Sequence, residues 1–580
     1  MAITSNYPDI QLREADIFSL LFDRPDRPFA ANKVIFQDAT HPSRTYTYEQ
    51  VRNDALWFGK GLQTCFDIKK GDVIGLFTPN DIDVPAILFG SLWTGAVISA
   101  ANPGYKVDEL AHQLKDSAAR FVVSHVSSFP TAREACSLVG IPESQIILVG
   151  NERSARGPSR HWTVIREAGQ TSAGSQPPTQ IKIQPREDLA FLAYSSGTTG
   201  KPKAVMLTHF NVTANIEQIR DLEPVSHDNS VSIPGIPDAP QTGDKVLACL
   251  PFFHIYGLTC LLINPLFKGV HCVMMEAFDF ERWCQVVETH QVTVGYIVPP
   301  IVLLLAKHPA VNKYNLSSLR VCSSGAAPLT RELVEAVYKR TGIRTKQGYG
   351  LTETSPTLFA MRWQDWHRKV GTTGLLVPNM TAKFCIPSAE IDHAQGAVEL
   401  PRGEVGELWV SGPNVFRGYL NRPEATAECL VDGWFKTGDV GFMDDEGHLT
   451  ITDRAKELIK YKGFQVAPAE LEGLLVDCEL VDDAAVIGVF LREQSTEVPR
   501  AYVVRKGGPS AVKPGDDQSI IRWMDRRVTN HKKLRGGVRF VESIPKSPSG
   551  KILRRILKDE IKKEQEREQE IRLRGHNAKL

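Results

Sequence analysis

Residues 191–203 have the sequence FLAYSSGTTGKPK, in which an apolar run is followed by hydroxyl, glycine and lysine residues. The apolar run predicts a buried strand, and Gly197 and Gly200 let the backbone after it turn its N–H groups toward an anion. The side-chain donors of this stretch are Ser195, Ser196, Thr198, Thr199, Lys201 and Lys203. Many donors, little bulk and positive charge together predict a loop that binds nucleotide phosphates.

The loop differs from the Walker A motif of P-loop NTPases, G-x-x-x-x-G-K-[ST]. Its glycines have the spacing G-x-x-G-K, and Pro202 stands where that motif needs a magnesium-binding hydroxyl group. We therefore expect a phosphate-binding loop of another type. A plain surface turn is the alternative, and the length of the pattern argues against it.

On either side of this loop, from about residue 30 to 450, short apolar runs alternate with segments of helical periodicity. The clearest apolar runs are 72–80, 120–126, 245–253 and 293–300. This alternation predicts an α/β fold with mixed or parallel sheets covered by helices. We assign residues 1–452 to one large N-terminal domain of several subdomains.

A domain boundary is predicted near residue 453, before a compact stretch of different character. Strand-like runs at 482–490 and 500–506 precede a helical pattern near 519–528, which predicts a small α+β domain over 457–580. Residues 552–574 predict a helix with one buried stripe. Turn-forming residues dominate 150–180 and 221–243, which we expect to be surface insertions without an assigned role.

Composition excludes several classes of protein. The 580 residues are 42% apolar and 23% charged, which is ordinary globular composition. Lys and Arg number 68 against 67 Asp and Glu, so no basic excess supports nucleic-acid binding. The ten cysteines include no C-x-x-C pair, the N-terminus is polar, and no apolar run reaches about 18 residues. We expect a soluble intracellular protein with no membrane span.

Seven motifs, in order along the chain, resemble those of the adenylate-forming superfamily of acyl-CoA ligases, luciferases and peptide-synthetase adenylation domains. After the phosphate loop they are LPFFHIYGL (250–258), SSGAAPL (323–329), QGYGLTE (347–353), GWFKTGD (433–439), DRAKELIKYKGFQVAPAELE (453–472) and PKSPSGKILRR (545–555). Their wording is closest to 4-coumarate–CoA ligase-like enzymes.

The resemblance implies an ATP site in which Tyr349 lies against adenine, Asp439 accepts both ribose hydroxyl groups and Arg454 supplies a cation. Thr352 would contact phosphate, and Glu353 would bind the Mg²⁺ that accompanies ATP. The full implied ATP- or AMP-binding set is Ser195, Ser196, Gly197, Thr198, Thr199, Lys203, Gln347, Gly348, Tyr349, Thr352, Asp439, Arg454, Lys456 and Lys551.

The same resemblance implies sites for the acid and for coenzyme A, with His254 at the junction between them. The acyl-binding set is His254, Tyr256, Gly325, Ala326, Gly348, Pro356 and Thr357. The coenzyme A set is Lys268, Lys460, Lys462, Gly463 and Gln465. Tyr256 and Tyr296 are polar tips in a pocket that suits an aryl-propenoate, a phenylacetate-like acid or a medium-chain fatty acid.

Two lysines of the small domain serve different half-reactions in the family. Lys551 bridges the carboxylate and the α-phosphate while acyl-AMP and pyrophosphate form, and Lys460 belongs to the face presented when coenzyme A attacks. A rotation about a hinge at 453–456, with Lys456 as pivot, would exchange the two faces. The implied enzyme is an AMP-forming acid–thiol ligase that uses ATP, Mg²⁺ and coenzyme A, with Lys551, His254 and Lys460 as catalytic residues.

Other functions remain open at this point. A luciferase-like oxygenase would use the same adenylate, a stand-alone adenylation enzyme would load a carrier protein, and a non-catalytic relative would only bind. The chain ends in Ala578, Lys579 and Leu580, which resembles the peroxisomal address S-K-L. We therefore expect the peroxisomal import receptor as a partner and the peroxisome as the location, with the cytoplasm otherwise.

Overall fold

The chain forms a large α/β domain and a smaller C-terminal domain, each with its own buried core. The computed structural model describes residues 2–151, 158–171, 181–195, 202–326, 329–387, 397–455, 457–462, 464–491, 496–547 and 550–561. The main core of the large domain runs from Ile17 to Leu449, and the core of the small domain begins at Ile459. The predicted α/β class is confirmed; the exact hinge at 453–456 stays a prediction.

An eight-stranded sheet carries the start of the phosphate loop at one strand end. Its strands, in spatial order, are Gly418–Tyr419, Lys203–Thr208, Leu189–Ser195, Val97–Ala101, Val73–Phe77, Ala119–His125, Ile146–Val149 and Arg160–His161. The last six pair in parallel, and the first two pair antiparallel. Parallel strands that are covered on both faces form nearly continuous apolar runs, and this is why the sequence pattern predicted them.

A nine-stranded sheet brings most of the other motifs to one edge. Its spatial order is Leu375–Leu376, Thr357–Ala360, Arg344–Gly350, Val321–Ser324, Val294–Ile297, Lys245–Ala248, His271–Met274, Val34–Asp38 and Thr45–Thr47. The six strands from Arg344–Gly350 to Val34–Asp38 are parallel. Their carboxyl ends therefore face one side, where open α/β sheets bind ligands.

A six-stranded antiparallel sheet leads the chain toward the small domain. Four strands follow one another as Ile3–Thr4, Thr381–Cys385, Gly406–Ser411 and Trp434–Met443, and the last pairs with both Leu430–Val431 and Leu449–Arg454. The pairing of the two long strands sets Asp439 opposite Arg454.

Helices cover the sheets of the large domain. They are Ile17–Phe22, Tyr48–Phe66, Val84–Trp93, Val107–Asp116, Phe129–Val139, Trp162–Thr171, His209–Gln218, Ile255–Gly257, Leu258–Ile263, Asn264–Lys268, Phe280–His290, Pro299–Lys307, Arg331–Thr341 and Pro423–Cys429. Single turns lie at Val126–Ser128, Glu143–Gln145, Pro309–Asn312, Thr352–Thr354 and Trp363–Asp365. Helices Tyr48–Phe66 and Val84–Trp93 cross closely because Gly90 has no side chain: a Cβ there would lie 2.4 Å from the carbonyl oxygen of Ala55.

The small domain joins two sheets with two main helices. Strands Ile459–Tyr461 and Phe464–Val466 form a hairpin, and Val481–Leu491, Thr496–Arg505 and Val538–Phe540 form a second sheet. Helices Pro468–Val476 and Asp516–Asp525 pack beside them, with single turns at Pro509–Ala511 and Asn530–Lys532. Residues 554–561 are helical, and the rest of the helix predicted over 552–574 lies outside the described residues. Among the described residues, no helix combines the length and the apolar character needed to cross a bilayer.

The segment 221–243 corrects one prediction from the sequence. We expected a surface insertion, but part of the segment is buried, namely Glu223, Val225, Ser226, Ile236 and Ala239. Turn-forming composition shows where a chain bends and does not show whether other elements cover it. The other predicted insertion, 150–180, is described only in part.

Candidate active site

One cavity of about 1320 Å³ is lined by residues of both domains. It collects many of the residues singled out from the sequence: Ser195, Lys203, His254, Tyr256, Gly325, Ala326, Gly348, Tyr349, Thr352, Glu353, Pro356, Thr357, Arg454, Lys460 and Lys551. These residues come from the edges of all three large sheets and from the small domain. The cavity is therefore the candidate active site.

Tyr349 and Arg454 line the cavity and are connected to each other through Asp439. The Tyr349 hydroxyl donates to Asp439 Oδ2 at 2.6 Å, and Arg454 Nε lies 3.1 Å from Asp439 Oδ1. Burial, and then the nearby Asp439 carboxylate, raise the pKa of the Tyr349 phenol well above its usual value. Asp439 is thus a buried carboxylate with a donor on each oxygen, and such a group can accept the hydroxyl groups of a sugar.

Glu353 lies nearby and is held by a residue that the sequence did not single out. The Tyr419 hydroxyl donates to Glu353 Oε1 at 2.9 Å, and Lys203 Nζ lies 5.2 Å from the centre of the Tyr419 ring. Within the described residues no group of three or more acidic, histidine or cysteine side chains could hold a metal. Glu353 fits Mg²⁺ in the way that nucleotide enzymes use it, with one carboxylate and the remaining ligands from phosphates and water.

His254 begins the short helix Ile255–Gly257 and is neutral. Its Nδ1 accepts the backbone N–H of Tyr256 at 3.3 Å, so the proton of the neutral ring lies on Nε2. Burial, and then the charge of Lys551, lower the pKa of His254 to about 4. The loop before it is held by Asn80, which donates to the Leu250 carbonyl at 3.0 Å and accepts the Phe252 N–H at 2.9 Å. The sequence analysis missed Asn80, whose only signal was the Pro-Asn turn that ends a strand.

The acyl residues form an aromatic wall beside His254. The Tyr256 hydroxyl donates to the Ser323 carbonyl at 3.0 Å, and its ring would lie 3.3 Å from any Cβ at Gly325. A side chain at 325 would therefore make the tyrosine ring shift by a few tenths of an ångström. The rings of Tyr256 and Tyr296 pack edge to face, with their centres 6.3 Å apart. Gln347 does not line the cavity; its Oε1 accepts the Leu329 N–H at 2.8 Å.

Lys551 enters the cavity from the small domain on a tight turn. Its backbone N–H donates to Ser547 Oγ at 3.2 Å, and Gly550 between them has a φ of +80°. A Cβ at Gly550 would lie 3.0 Å from the Pro300 ring of the large domain. Burial, and then Arg454, lower the pKa of the Lys551 ammonium to about 8. The turn thus places the partly desolvated Lys551 ammonium in the cavity.

Of the residues assigned to coenzyme A, the structure places Lys460 at the cavity and Lys268 away from its lining. Lys460 is exposed and lines the cavity, and its backbone N–H donates to Glu497 Oε2 at 2.9 Å. Lys462 has a φ of +46° and donates its N–H to Thr496 Oγ1 at 2.8 Å. Lys268 does not itself line the cavity, because its ammonium donates to the backbone carbonyl groups of Arg220, Glu223 and Val225 in a segment of the cavity wall. A sequence motif could not show these acceptors.

Several residues assigned from the sequence lie outside the described residues. They are Ser196, Gly197, Thr198, Thr199, Lys201, Lys456, Gly463, Ala578, Lys579 and Leu580, together with the side chain of Gln465. Their assigned roles stay predictions.

The fold and this cavity define a two-domain enzyme that binds a nucleotide beside an organic group. A model of the AMP-binding enzyme family matches residues 23–420, and a model of the AMP-binding enzyme C-terminal domain matches 470–551. The chain therefore belongs to the AMP-binding enzyme family, and the resemblance seen in its motifs is confirmed.

Similar proteins span nearly the whole chain. It is 35% identical over 579 residues to the probable 4-coumarate–CoA ligase 2 of Dictyostelium discoideum, covering 96% of this chain and 97% of that protein. It is 37% identical to 4-coumarate–CoA ligase 2 of Petroselinum crispum over 89% of each chain. The crystal structure of ATP-bound MatB from Rhodopseudomonas palustris superposes with a TM-score of 0.78 at 25% identity, covering 94% of this chain and 99% of that one.

Proposed function

We propose that this chain joins an aryl carboxylic acid to coenzyme A in two steps, through an acyl-adenylate. The reaction class, AMP-forming acid–thiol ligation with ATP and coenzyme A as substrates, is that of the family to which the chain belongs. One observation carries the proposal: the Lys551 ammonium of the small domain enters the cavity that holds His254, Tyr349 and Glu353.

In the first step a carboxylate oxygen attacks the α-phosphorus of ATP, and the bond to pyrophosphate breaks. Both reactants are anions, so a cation near the new bond lowers the barrier most. Lys551 and Arg454 supply positive charge there, and Tyr349 and Asp439 hold the adenosine. Because Lys551 is half-buried, its charge is screened less than it would be in water.

In the second step the sulfur of coenzyme A attacks the acyl carbon, and AMP leaves as the mixed anhydride breaks. We infer that the thiol approaches through the space that Lys551 occupies, and that the small domain therefore rotates about 453–456, with Lys456 as pivot and Lys460 on the new face. Separate hydrophobic cores in the two domains support a rigid rotation. Neutral His254 lies between the two subsites and can donate from Nε2.

Magnesium is part of the proposal through Glu353 alone. This carboxylate, oriented by Tyr419, would hold Mg²⁺ together with the phosphates of ATP. The ion would neutralise phosphate charge when bound, and the residues named above bind and orient the reactants.

An aryl acid is favoured over an alkyl acid by the shape of the acyl wall. Tyr256, Tyr296 and Phe359 line the cavity, and aromatic side chains bind flat rings edge to face or offset. Relatives over most of the chain bear the name 4-coumarate–CoA ligase, which supports the same choice. A medium-chain fatty acid remains the second candidate because this wall carries few charges.

The test is pyrophosphate release by the purified chain across a panel of aryl and alkyl acids, with and without coenzyme A. We expect acid-dependent pyrophosphate release, with acyl-CoA and AMP formed only when free coenzyme A is present. Release of pyrophosphate without use of free coenzyme A would favour a carrier-loading enzyme, and oxygen uptake with light would favour a luciferase-like oxygenase. No AMP from any acid would refute the proposal.

We also propose import into peroxisomes through Ala578, Lys579 and Leu580. The proposal is supported by the likeness of this terminus to the S-K-L address. Residues 569–580 fused to a fluorescent reporter should produce peroxisomal puncta, and removal of Leu580 should abolish them. A diffuse signal from the intact fusion would refute it.

A further inference from the structure

A short segment, 219–225, forms part of the cavity wall although no motif includes it. Ile219 and Glu223 both line the cavity, on the side of Cys260 and Tyr296. Glu223 is 6% exposed, so a carboxylate is buried at the acyl end of the site. A buried carboxylate needs hydrogen-bond donors or a cation beside it. The residues that supply them to Glu223 are therefore the residues that fix this part of the wall.

Lys268 holds the backbone of this segment. It ends the helix Asn264–Lys268, and its ammonium donates to three carbonyl oxygens, those of Arg220 at 2.6 Å, Val225 at 3.5 Å and Glu223. An ammonium has three N–H donors, so these three acceptors use them all. Burial lowers the pKa of Lys268 to about 8. No N–H of Lys268 is left for a phosphate of coenzyme A.

The side chain of Glu223 is held by two further elements. Lys346 is fully buried and forms an ion pair with Glu223 Oε1, and Trp363 Nε1 donates to Glu223 Oε2 at 3.2 Å. Lys346 directly precedes the Gln347-Gly348-Tyr349 stretch of the nucleotide site. Backbone and side chain of Glu223 are therefore both fixed, by residues from three separate elements.

The surroundings of Glu223 belong to the acyl part of the cavity. The hydroxyl of Tyr296 is buried without a hydrogen-bond partner in the described part of the chain, and Tyr296 is 3% exposed. The Glu223 charge adds to the effect of burial in raising the pKa of Tyr296, and of the Cys260 thiol to about 12. These groups therefore remain protonated and lie within electrostatic reach of Glu223.

We propose that Lys268 is a positioning residue that fixes the 219–225 wall, with Glu223 at its centre, and so sets the affinity of the enzyme for its acid. The proposal rests on the proposed function and replaces the assignment of Lys268 to coenzyme A. Loss of Lys268 removes three hydrogen bonds to partly buried backbone carbonyl groups and lets the wall move, which weakens acid binding and leaves the distant nucleotide contacts intact.

The experiment measures the KM for acid, ATP and coenzyme A in Lys268→Met. We expect the KM for the acid to rise by about tenfold, the size of one lost buried contact, with the other two KM values within about twofold of wild type. Lys268→Arg, which keeps a cation and its donors, should restore part of the acid affinity. Unchanged acid affinity with a raised KM for coenzyme A would overturn the proposal.

Lys33→Met is the matched control. The Lys33 ammonium also donates to carbonyl groups of the same region, those of His227 at 2.5 Å and Thr242 at 3.3 Å, and neither residue lines the cavity. Its acid KM should stay at the wild-type value, and an equal rise in both variants would overturn the proposal by showing a general loss of packing.

Glu223→Gln tests the wall without removing Lys268, in case Lys268→Met does not fold. Glutamine keeps the shape and can still accept from Lys346, so a folded protein with a raised acid KM is expected. An unchanged acid KM in folded Glu223→Gln would overturn the proposal. Wild-type protein in the same assay reports the proposed function separately: if it makes no acyl-CoA from any acid, that function fails before Lys268 is judged.

Discussion

Two lysines near the cavity, Lys346 and Lys551, differ in burial and in whether they have an ion-pair partner. Lys346, at the acyl end, is fully buried and forms an ion pair with Glu223. Lys551, at the nucleotide end, is half-buried, no carboxylate of the described chain lies within ion-pair distance of its ammonium, and its pKa falls to about 8. A buried charge with an ion-pair partner fixes structure, and a half-buried charge without one is available to a ligand.

This difference follows from the cost of removing charges from water. A buried ion costs several kcal/mol unless an opposite charge compensates for it. For Lys346 the compensation is internal and permanent. For Lys551 it would come from the phosphates of ATP and the acid, or from the proposed rotation that returns the lysine to water. The four predictions below test this contrast, from the largest expected effect to the smallest.

Lys346→Met should destabilise the protein by about 3–5 kcal/mol, because Glu223 would be left as a buried charge without its cation. Urea unfolding monitored by tryptophan fluorescence would measure the change. Lys551→Met is the matched control and should leave stability within about 0.5 kcal/mol, since no ion pair is lost. Equal losses in the two variants would contradict the contrast between paired and unpaired lysines.

Lys551→Ala should slow adenylation by about 10²–10³-fold, the usual effect of removing one donor to a transition state. Acid-dependent exchange of labelled pyrophosphate into ATP measures this step. Thioester formation from preformed acyl-AMP should be largely spared in the same variant. Normal exchange in Lys551→Ala would show that its buried charge has no role in the first step.

Lys460→Ala should slow transfer of the acyl group to coenzyme A by about tenfold to a hundredfold, since it removes a contact that positions the nucleophile. Pyrophosphate exchange should remain near the wild-type rate. Rapid mixing of enzyme-bound acyl-AMP with coenzyme A would measure the transfer directly. If both half-reactions were damaged equally, the separation of roles between the two lysines would be wrong.

The pH dependence of adenylation should report the pKa of Lys551. A lysine whose pKa is lowered keeps its charge only below that value, so kcat/KM should fall by about tenfold per pH unit above about pH 8. Lys551→Arg should shift this fall to higher pH. His254 has a pKa of about 4 and stays neutral across this range. Activity that rises through pH 8 would contradict a catalytic cation.

Much of the fold could be predicted because its strands are short apolar runs. The strand predicted within 72–80 is Val73–Phe77, and the one within 120–126 is part of Ala119–His125. The alternation with helices then fixed the α/β class. The spatial order of the strands could not be predicted, because it depends on pairings such as Val246 with Val294 that no local pattern specifies.

The nucleotide end of the site was predictable from motifs, and the acyl end was not. Tyr349 and Asp439 each lie in a recognisable motif, and the structure places the Tyr349 hydroxyl 2.6 Å from Asp439 Oδ2. Glu223 meets Lys346 across 123 positions of sequence, and neither residue lies at a position that a motif singles out. Lys268 was assigned to coenzyme A, and the structure places its ammonium on backbone carbonyl groups that a sequence does not show.

The arrangement around Asp439 has a consequence for which sugars the enzyme accepts. Both of its oxygens already have donors, Tyr349 on one and Arg454 on the other. An incoming nucleotide therefore competes with the Tyr349 hydroxyl for Asp439. A ribose offers two hydroxyl groups in place of the single hydrogen bond from Tyr349. A 2′-deoxy sugar offers only one, so under the proposed role of Asp439 we expect the enzyme to bind deoxynucleotides more weakly than ribonucleotides.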